Sequence, residues 1–288
     1  GLVVRTTLDP AAQPFLDDHR IDGTPVLPGV MGMEAFAEVA RLLVPQWHVV
    51  AEEDVDFLAP VKFYRSEPRT VTITAALRPD GKDLVADCRL EAERLLPGAE
   101  SPQRRVHFTG RVRLATHSLA REDAGPVGRS EGAPAITPPD VYRLYFHGPA
   151  YQVVGEAWRD DGGAAGSLAD HLPEDRSPAG VPTLLRPRLE ELCFQVAGLW
   201  EAGNEGRLAL PAHVDRLSVL DELIGEQPEG VVAVAHPVAG EPGVFDCEVL
   251  DPTGRVVLRL EGYHTVPLPG GLTDEVRAPL RDVMAGRD

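Results

Sequence analysis

The sequence predicts an α+β protein built from two similar units, each with one apolar helix and a set of antiparallel strands. Residues 33–44 and 189–200 carry apolar side chains at helical spacing, and runs of alternating polar and apolar residues follow each of them. A segment rich in Pro, Gly and charge, residues 118–140, separates the two sets and is typical of a linker. A sheet formed by either set of strands can wrap around its helix and bury it.

The composition fits a globular protein with a sizeable core. The chain has 288 residues, of which 43% are hydrophobic and 25% charged. No apolar run approaches the ~20 residues that cross a membrane, and a net charge of −17 disfavours nucleic acid as a partner. Cys88, Cys193 and Cys247 lack CxxC spacing, which favours reduced thiols and a cytoplasmic location. Because residue 1 is glycine, we expect this chain to be part of a longer polypeptide.

The first predicted unit covers residues 1–117. Its helix follows Pro28, which suits a first helical turn because proline has no N–H to leave unpaired, and Pro45 ends it. Strands are predicted at residues 2–8, 47–64, 69–77, 83–95 and 103–115.

The second predicted unit covers residues 141–268, and residues 269–288 are predicted to form a C-terminal tail. A short helix at 138–145 overlaps the end of the linker, and a longer helix is predicted at 188–202. The sequence Asp251-Pro252-Thr253-Gly254 indicates a hairpin turn between the last two strands. Strands are predicted at residues 151–159, 164–169, 212–220, 230–237, 243–250 and 255–265.

His19 is the first candidate for a catalytic residue. It precedes a turn rich in Gly and Pro that opens directly into the first apolar helix. The first backbone N–H groups of that helix, near Gly29 and Val30, have no partner within the helix and can polarise a carbonyl. The alternative interpretation is a histidine in a solvated surface loop.

The second apolar helix offers an acid. Glu191 and Gln195 are four residues apart and share a face that adjoins Leu192 and Val196. Burial beside those apolar side chains is expected to raise the pKa of the Glu191 carboxyl and keep it protonated near pH 7. The alternative is that Glu190 and Glu191 are solvated acids that stabilise the helix dipole.

The remaining sequence patterns offer one further candidate base and no metal site. His147 lies ahead of Gly148-Pro149 in a predicted tight turn and is the rival of His19 for the role of base. The sequence has no HExxH pattern and no paired cysteines, so no metal site is expected.

Four segments together resemble the dehydratase domains of polyketide synthases. His19, Gly23 and Pro28 match the HxxxGxxxxP signature of that family. The three later segments follow in the family's order: Gly148-Pro149-Ala150-Tyr151 resembles the end of GYxYGPxF, residues 186–195 resemble HPxLLDxxxQ, and Leu210-Pro211 begins a stretch like LPxxxxxxxL.

Two departures from the family's pattern matter. In the segment at 186–195 the usual aspartate is Glu191 and the preceding His-Pro is Arg186-Pro187, and in the earlier segment the tyrosine common before Gly148 is His147. Two interpretations remain open: a subgroup such as the iterative enediyne or polyunsaturated-fatty-acid synthases, or a site with altered activity.

The resemblance implies a double hot-dog fold with one active site between its halves. It also implies loss of water from a β-hydroxyacyl thioester that is carried on an acyl carrier protein. In that reaction His19 would remove the α-proton, Glu191 would protonate the departing hydroxyl, and Gln195 would help to orient it. The N–H groups near Gly29 and Val30 would polarise the thioester carbonyl.

The resemblance extends to the rest of the substrate site and to the partners. Gly23 and Pro28 would complete the substrate-binding surface, and His147 and Tyr151 would shape the tunnel. No metal or organic cofactor is expected beyond the phosphopantetheine of the carrier protein. The partners would be that carrier protein and neighbouring synthase domains, with a homodimer left open. Two alternatives remain: a product-template-like domain that guides cyclisation of a poly-β-keto chain, and a non-catalytic domain kept for assembly.

Overall fold

A computed structural model describes residues 1–94, 103–220 and 230–285. The strands are β1 (Leu2–Leu8), β2 (Arg20–Ile21), β3 (Thr24–Pro25), β4 (His48–Phe57), β5 (Arg69–Asp80), β6 (Asp83–Arg94), β7 (Gln103–Ala115), β8 (Val154–Asp160), β9 (Gly163–Leu168), β10 (Ala209–Val219), β11 (Val232–Pro237), β12 (Val244–Leu250) and β13 (Val256–Pro267). The helices are α1 (Pro14–Asp17), α2 (Gly29–Leu43), α3 (Pro138–Leu144), α4 (Pro187–Glu205) and α5 (Asp274–Met284). Residue 95, predicted to end a strand, lies outside the described residues.

Eleven of the described strands form one sheet in the order β1-β5-β6-β7-β4-β10-β13-β12-β11-β9-β8. Every neighbouring pair in it is antiparallel. The two halves of the chain meet where β4 pairs with β10, with Val55 opposite Val214. The prediction of two antiparallel units is therefore confirmed, and the two units share one continuous sheet.

Each half of the sheet encloses one helix. In α2 most of the predicted apolar stripe is buried, with Val30, Met33 and Phe36 at 0% exposure, and the stripe becomes half-buried at Leu43 and Val44. Helix α2 lies so close to β7 that a Cβ at Gly32 would stand 2.3 Å from the Phe108 ring. Helix α4 is buried on nearly all sides, as expected of a helix inside a core rather than on a surface.

The predicted linker runs along the outside of the second half. Leu119 and Val127 pack on a small apolar cluster on that face of the sheet, and Asp123 forms a β-bridge with Arg255. Helix α3 begins at Pro138, inside the predicted linker range.

The C-terminal segment is more than a tail, because α5 packs against α4. Leu280 and Met284 are completely buried, and a Cβ at Gly203 would come within 2.8 Å of Leu280. Among the described residues, no helix is long and apolar enough to span a membrane.

Candidate active site

A two-residue hairpin turn sets the position of His19. Asp22 and Gly23 both have positive φ angles, 50° and 74°, which is the turn geometry that suits a tight hairpin such as β2–β3. The turn brings Val26 back alongside His19, and the Val26 N–H donates to the His19 carbonyl over 2.9 Å. His19 is 8% exposed, so the alternative of a solvated surface histidine is wrong.

The hydrogen bond of the His19 ring sets its tautomer. Nδ1 lies 2.8 Å from the Val26 carbonyl oxygen, and because a carbonyl only accepts, Nδ1 carries the proton. Nε2 is then left with a free lone pair. Burial, together with the neighbouring His147, lowers the pKa of His19 to about 4. The imidazole is therefore neutral at physiological pH and able to accept a proton.

The loop that contains His147 is tied to the loop that contains His19. The two histidines form an isolated antiparallel bridge, and their ring centroids are 5.2 Å apart. Asp18 accepts the N–H of Ala150 through Oδ2 over 2.7 Å and the N–H of Gly148 through its carbonyl over 2.6 Å. A Cβ at Gly148 would stand 2.3 Å from the Asp18 carboxylate, which explains why glycine occupies this close approach.

Glu191 projects from the first turns of α4 toward the same two loops. It is 5% exposed, and its Oε1 accepts a hydrogen bond of 2.9 Å from the Gln195 amide. His147 Nε2 lies 3.1 Å from the same oxygen.

The predicted direction of the Glu191 pKa shift is wrong. Burial would raise this pKa, as expected from the apolar neighbours, but His147 and then His19 and the Gln195 amide outweigh it and lower the pKa below the usual value. The sequence indicated the apolar face of the helix correctly. It did not reveal that a loop from another part of the chain places an imidazole against the carboxyl.

Glu190, the neighbouring acid, points elsewhere. It is completely buried, and its pKa is raised well above the usual value by burial and by the nearby Glu52 and Glu34 carboxyls. Neither Glu190 nor Glu191 is solvated, so the alternative of two exposed first-turn acids is wrong.

Gln195 is held by a chain of hydrogen bonds. Its amide nitrogen donates to Glu191 and to the Tyr151 carbonyl over 3.0 Å, and its side-chain oxygen accepts from the Tyr142 hydroxyl over 3.1 Å. That hydroxyl in turn accepts the Val154 N–H over 2.8 Å. These bonds orient the amide so that it donates to Glu191. No pattern in the sequence marks Tyr142, because only the folded chain brings its hydroxyl to Gln195 on α4.

A cleft of about 490 Å³ lies between the two halves, and His19 and Glu191 both line it. Gly29, His147 and Gln195 line it as well, as the sequence predicted for substrate-binding residues. Its apolar walls include Phe57, Phe108, Phe194, Leu210, Pro211 and Tyr263. Apart from Leu210-Pro211, no sequence pattern marks these walls, since they come from strands and a helix that only the fold brings together.

Four residues predicted to bind substrate do not line the cleft. Gly23 is the hairpin-turn residue, and the Pro28 carbonyl accepts the N–H groups of the first turn of α2. The side chains of Val30 and Tyr151 are completely buried in the core. Tyr151 acts on the site through its carbonyl, which holds Gln195, rather than by shaping a tunnel.

The first turn of α2 has backbone N–H groups that are not used within the helix, as predicted. The N–H groups of Met31 and Gly32 bond to the Pro28 carbonyl, whereas those of Gly29 and Val30 have no carbonyl acceptor within the helix. Within the described ranges, no cluster of three or more His, Cys, Asp or Glu side chains is arranged to hold a metal ion.

Two family models match the chain. The model described as polyketide synthase dehydratase N-terminal domain matches residues 120–274, and the model described as polyketide synthase dehydratase domain matches residues 1–86. Polyketide synthase GfsB of Streptomyces halstedii is 30% identical over an alignment of 229 residues, and the match covers 73% of this chain and 4% of GfsB. The chain thus spans only a small fraction of the length of this curated relative.

Solved structures show the same fold. The dehydratase domain from the CurF module of curacin polyketide synthase is 20% identical with a TM-score of 0.74, and the match covers 92% of each chain. An inactive CurK dehydratase variant with asparagine in place of aspartate is 18% identical with a TM-score of 0.72, over 95% of this chain and 93% of that one. The predicted double hot-dog fold is therefore confirmed.

Proposed function

Since this chain belongs to the polyketide synthase dehydratase family, we propose that its cleft removes water from a β-hydroxyacyl thioester and yields the α,β-unsaturated thioester. The observation that carries the proposal is the meeting of His19, from the first half, with Glu191, from the second half, in one cleft. A neutral imidazole and a carboxyl group on one cleft are what a proton-transfer elimination requires.

His19 acts as the base in this proposal. Its Nδ1–H is engaged by Val26, so Nε2 takes the proton from the α-carbon. The α-proton is acidic only if the thioester carbonyl is polarised as negative charge develops on its oxygen. The unpartnered N–H groups at the start of α2, those of Gly29 and Val30, are suited to that task.

Glu191 acts as the acid. As the C–O bond of the β-hydroxyl breaks, Glu191 transfers a proton to the leaving oxygen, which departs as water. The electron pair of the α-carbon–hydrogen bond becomes the new double bond. Gln195 keeps the carboxyl in place through Oε1. Two proton-transfer groups suffice for the reaction, so the proposal includes no metal or organic cofactor.

The substrate is proposed to arrive on the phosphopantetheine arm of an acyl carrier protein, with the other domains of a synthase as neighbours. The apolar walls of the cleft, including Phe57 and Phe194, suit an acyl chain. The reported relatives are dehydratases or polyketide synthases, and no observation favours the cyclisation alternative or an enediyne-type subgroup.

The test is incubation of the domain with a 3-hydroxyacyl thioester, both as a pantetheine thioester and on a carrier protein, followed by mass spectrometry. We expect loss of one water and an absorbance typical of the unsaturated thioester. His107→Gln is a matched control, because His107 is another buried histidine whose ring does not line the cleft. A folded wild-type protein that leaves the substrate unchanged would contradict dehydration, and cyclisation of a poly-β-keto thioester without such loss would favour the alternative.

A further inference from the structure

His147 contacts the acid closely enough to share its proton. Nε2 of His147 lies 3.1 Å from Oε1 of Glu191, and the two side chains are 5% and 7% exposed. Nδ1 of His147 is buried without a hydrogen-bond partner among the described residues, and Nε2, also buried, faces Oε1 of Glu191 at 3.1 Å without regular hydrogen-bond geometry. Any proton exchange between His147 and the site therefore runs through Nε2 and Glu191.

An ionised Glu191 has no proton to give to a leaving hydroxyl. A lone buried carboxylate is also unfavourable unless a cation or strong donor faces it. Of the two described residues that bond to or pair with Glu191, Gln195 donates through an amide, so His147 is the one that can supply a transferable proton. The proton that the site gives to the leaving oxygen is then shared by His147 and Glu191.

We propose that His147 and Glu191 act as one acid that holds a single transferable proton, with His147 as a positioning and proton-sharing residue. The inference rests on the proposed dehydration. Before elimination the pair holds this one proton between Nε2 of His147 and Oε1 of Glu191. During elimination the proton passes from Nε2 to the carboxyl group and on to the leaving oxygen, so that His147 ends as neutral imidazole.

The proton balance closes within the site. His19 begins neutral and ends as an imidazolium after it takes the α-proton, while the pair loses one proton to the departing water. The total charge of the site is unchanged. The ring centroids of His19 and His147 lie 5.2 Å apart, and the site is reset once the proton on His19 has returned to the pair.

The other titratable groups around His147 do not replace it in this role. The Tyr145 ring meets the His147 ring edge-on, with centroids 5.6 Å apart. Its hydroxyl, however, donates to the Gln195 carbonyl over 2.7 Å, and burial raises the pKa of Tyr145 well above the usual value. Asp18 faces the loop from the other side and is occupied by backbone N–H groups of that loop. A charged His147 also disfavours protonation of His19, which keeps the base neutral.

The experiment compares His147→Gln with the matched control His107→Gln in the dehydration assay across pH. Glutamine keeps a hydrogen-bonding side chain but cannot carry the proton. We expect His147→Gln to lower kcat by about 10–100-fold, as for other residues that act through a catalytic group. The alkaline limb of the pH–rate profile should move to lower pH, because a carboxyl would then hold the proton in place of an imidazolium. His107→Gln should change neither kcat nor the position of the alkaline limb.

A second measurement does not depend on turnover. In ¹⁵N-histidine NMR of the wild-type domain at neutral pH, we expect His147 as an imidazolium and His19 as the neutral Nδ1–H tautomer. In Glu191→Gln, His147 should become neutral. A neutral His147 in the wild type, or an unmoved alkaline limb in His147→Gln, would overturn the inference. Wild-type turnover in the same assay distinguishes this failure from a failure of the proposed function.

Discussion

Replacing Glu34 by glutamine is expected to remove a large part of the pH dependence of stability. Glu34 lies on α2, is 2% exposed, and accepts the N–H groups of Leu184 over 2.7 Å and Leu185 over 2.8 Å. Burial raises its pKa from 4.5 to about 7. Two further buried carboxyls lie nearby: burial and then Glu34 raise the pKa of Glu52, and burial and then Glu52 and Glu34 raise the pKa of Glu190.

The magnitude follows from the pKa of Glu34 in the two states. A rise of about 2.5 pH units corresponds to about 3 kcal/mol of differential stability. The folded protein binds more protons than the unfolded chain between the two values, so this stability is fully present below pH 4.5 and is lost as pH rises through about 7. The wild type should therefore be less stable at pH 8 than at pH 5 by roughly 2.5 kcal/mol from Glu34 alone, because part of the contribution is already lost at pH 5.

Glu34→Gln should abolish this contribution. The amide has one acceptor oxygen for two N–H donors, so the variant should lose about 1–2 kcal/mol at pH 5 and gain relative to the wild type at pH 8. Urea unfolding of the domain at both pH values measures the difference, with Glu131→Gln, at an exposed position, as the control. An unchanged loss of stability between pH 5 and pH 8 in Glu34→Gln would refute the reasoning.

Four further substitutions test the site. His19→Ala should abolish turnover in the dehydration assay, and retained turnover would place the base elsewhere. Because the ring is buried and bonded to Val26, the variant should also lose about 1–3 kcal/mol of stability, which a melting curve measures. Glu191→Gln should lower kcat by about 10²–10⁴-fold, because it removes the acid. Glu191→Asp should lower kcat by up to about 10²-fold, because the shorter side chain withdraws the carboxyl from Gln195 and His147. Full activity of the aspartate variant would contradict the importance of those contacts. Tyr142→Phe removes the donor to Gln195 and should lower kcat by about 10–100-fold, with circular dichroism to check the fold and an unchanged kcat as the refuting result.

Helices and strands of this protein are determined largely by local patterns in the sequence. The apolar spacing of α2 and α4 and the alternation in strands such as β5 predict elements within a few residues of their observed bounds, because burial of one face is a local requirement. The hairpin before α2 needs φ > 0 at Gly23, and the sequence supplies glycine there. The positions of His19 and Glu191 as the candidate base and acid also follow from motifs that can be read along the chain.

Only the tertiary structure decided the electrostatics of the site and the walls of the cleft. The sign of the Glu191 pKa shift depends on a contact of 3.1 Å with His147, and the orientation of Gln195 depends on Tyr142. Each of these partners comes from a loop or helix distant in sequence. Coulombic and hydrogen-bonding interactions depend on distances of a few ångströms between side chains. Those distances arise when β4 pairs with β10 and the two halves close on one another, and no local pattern of residues encodes them.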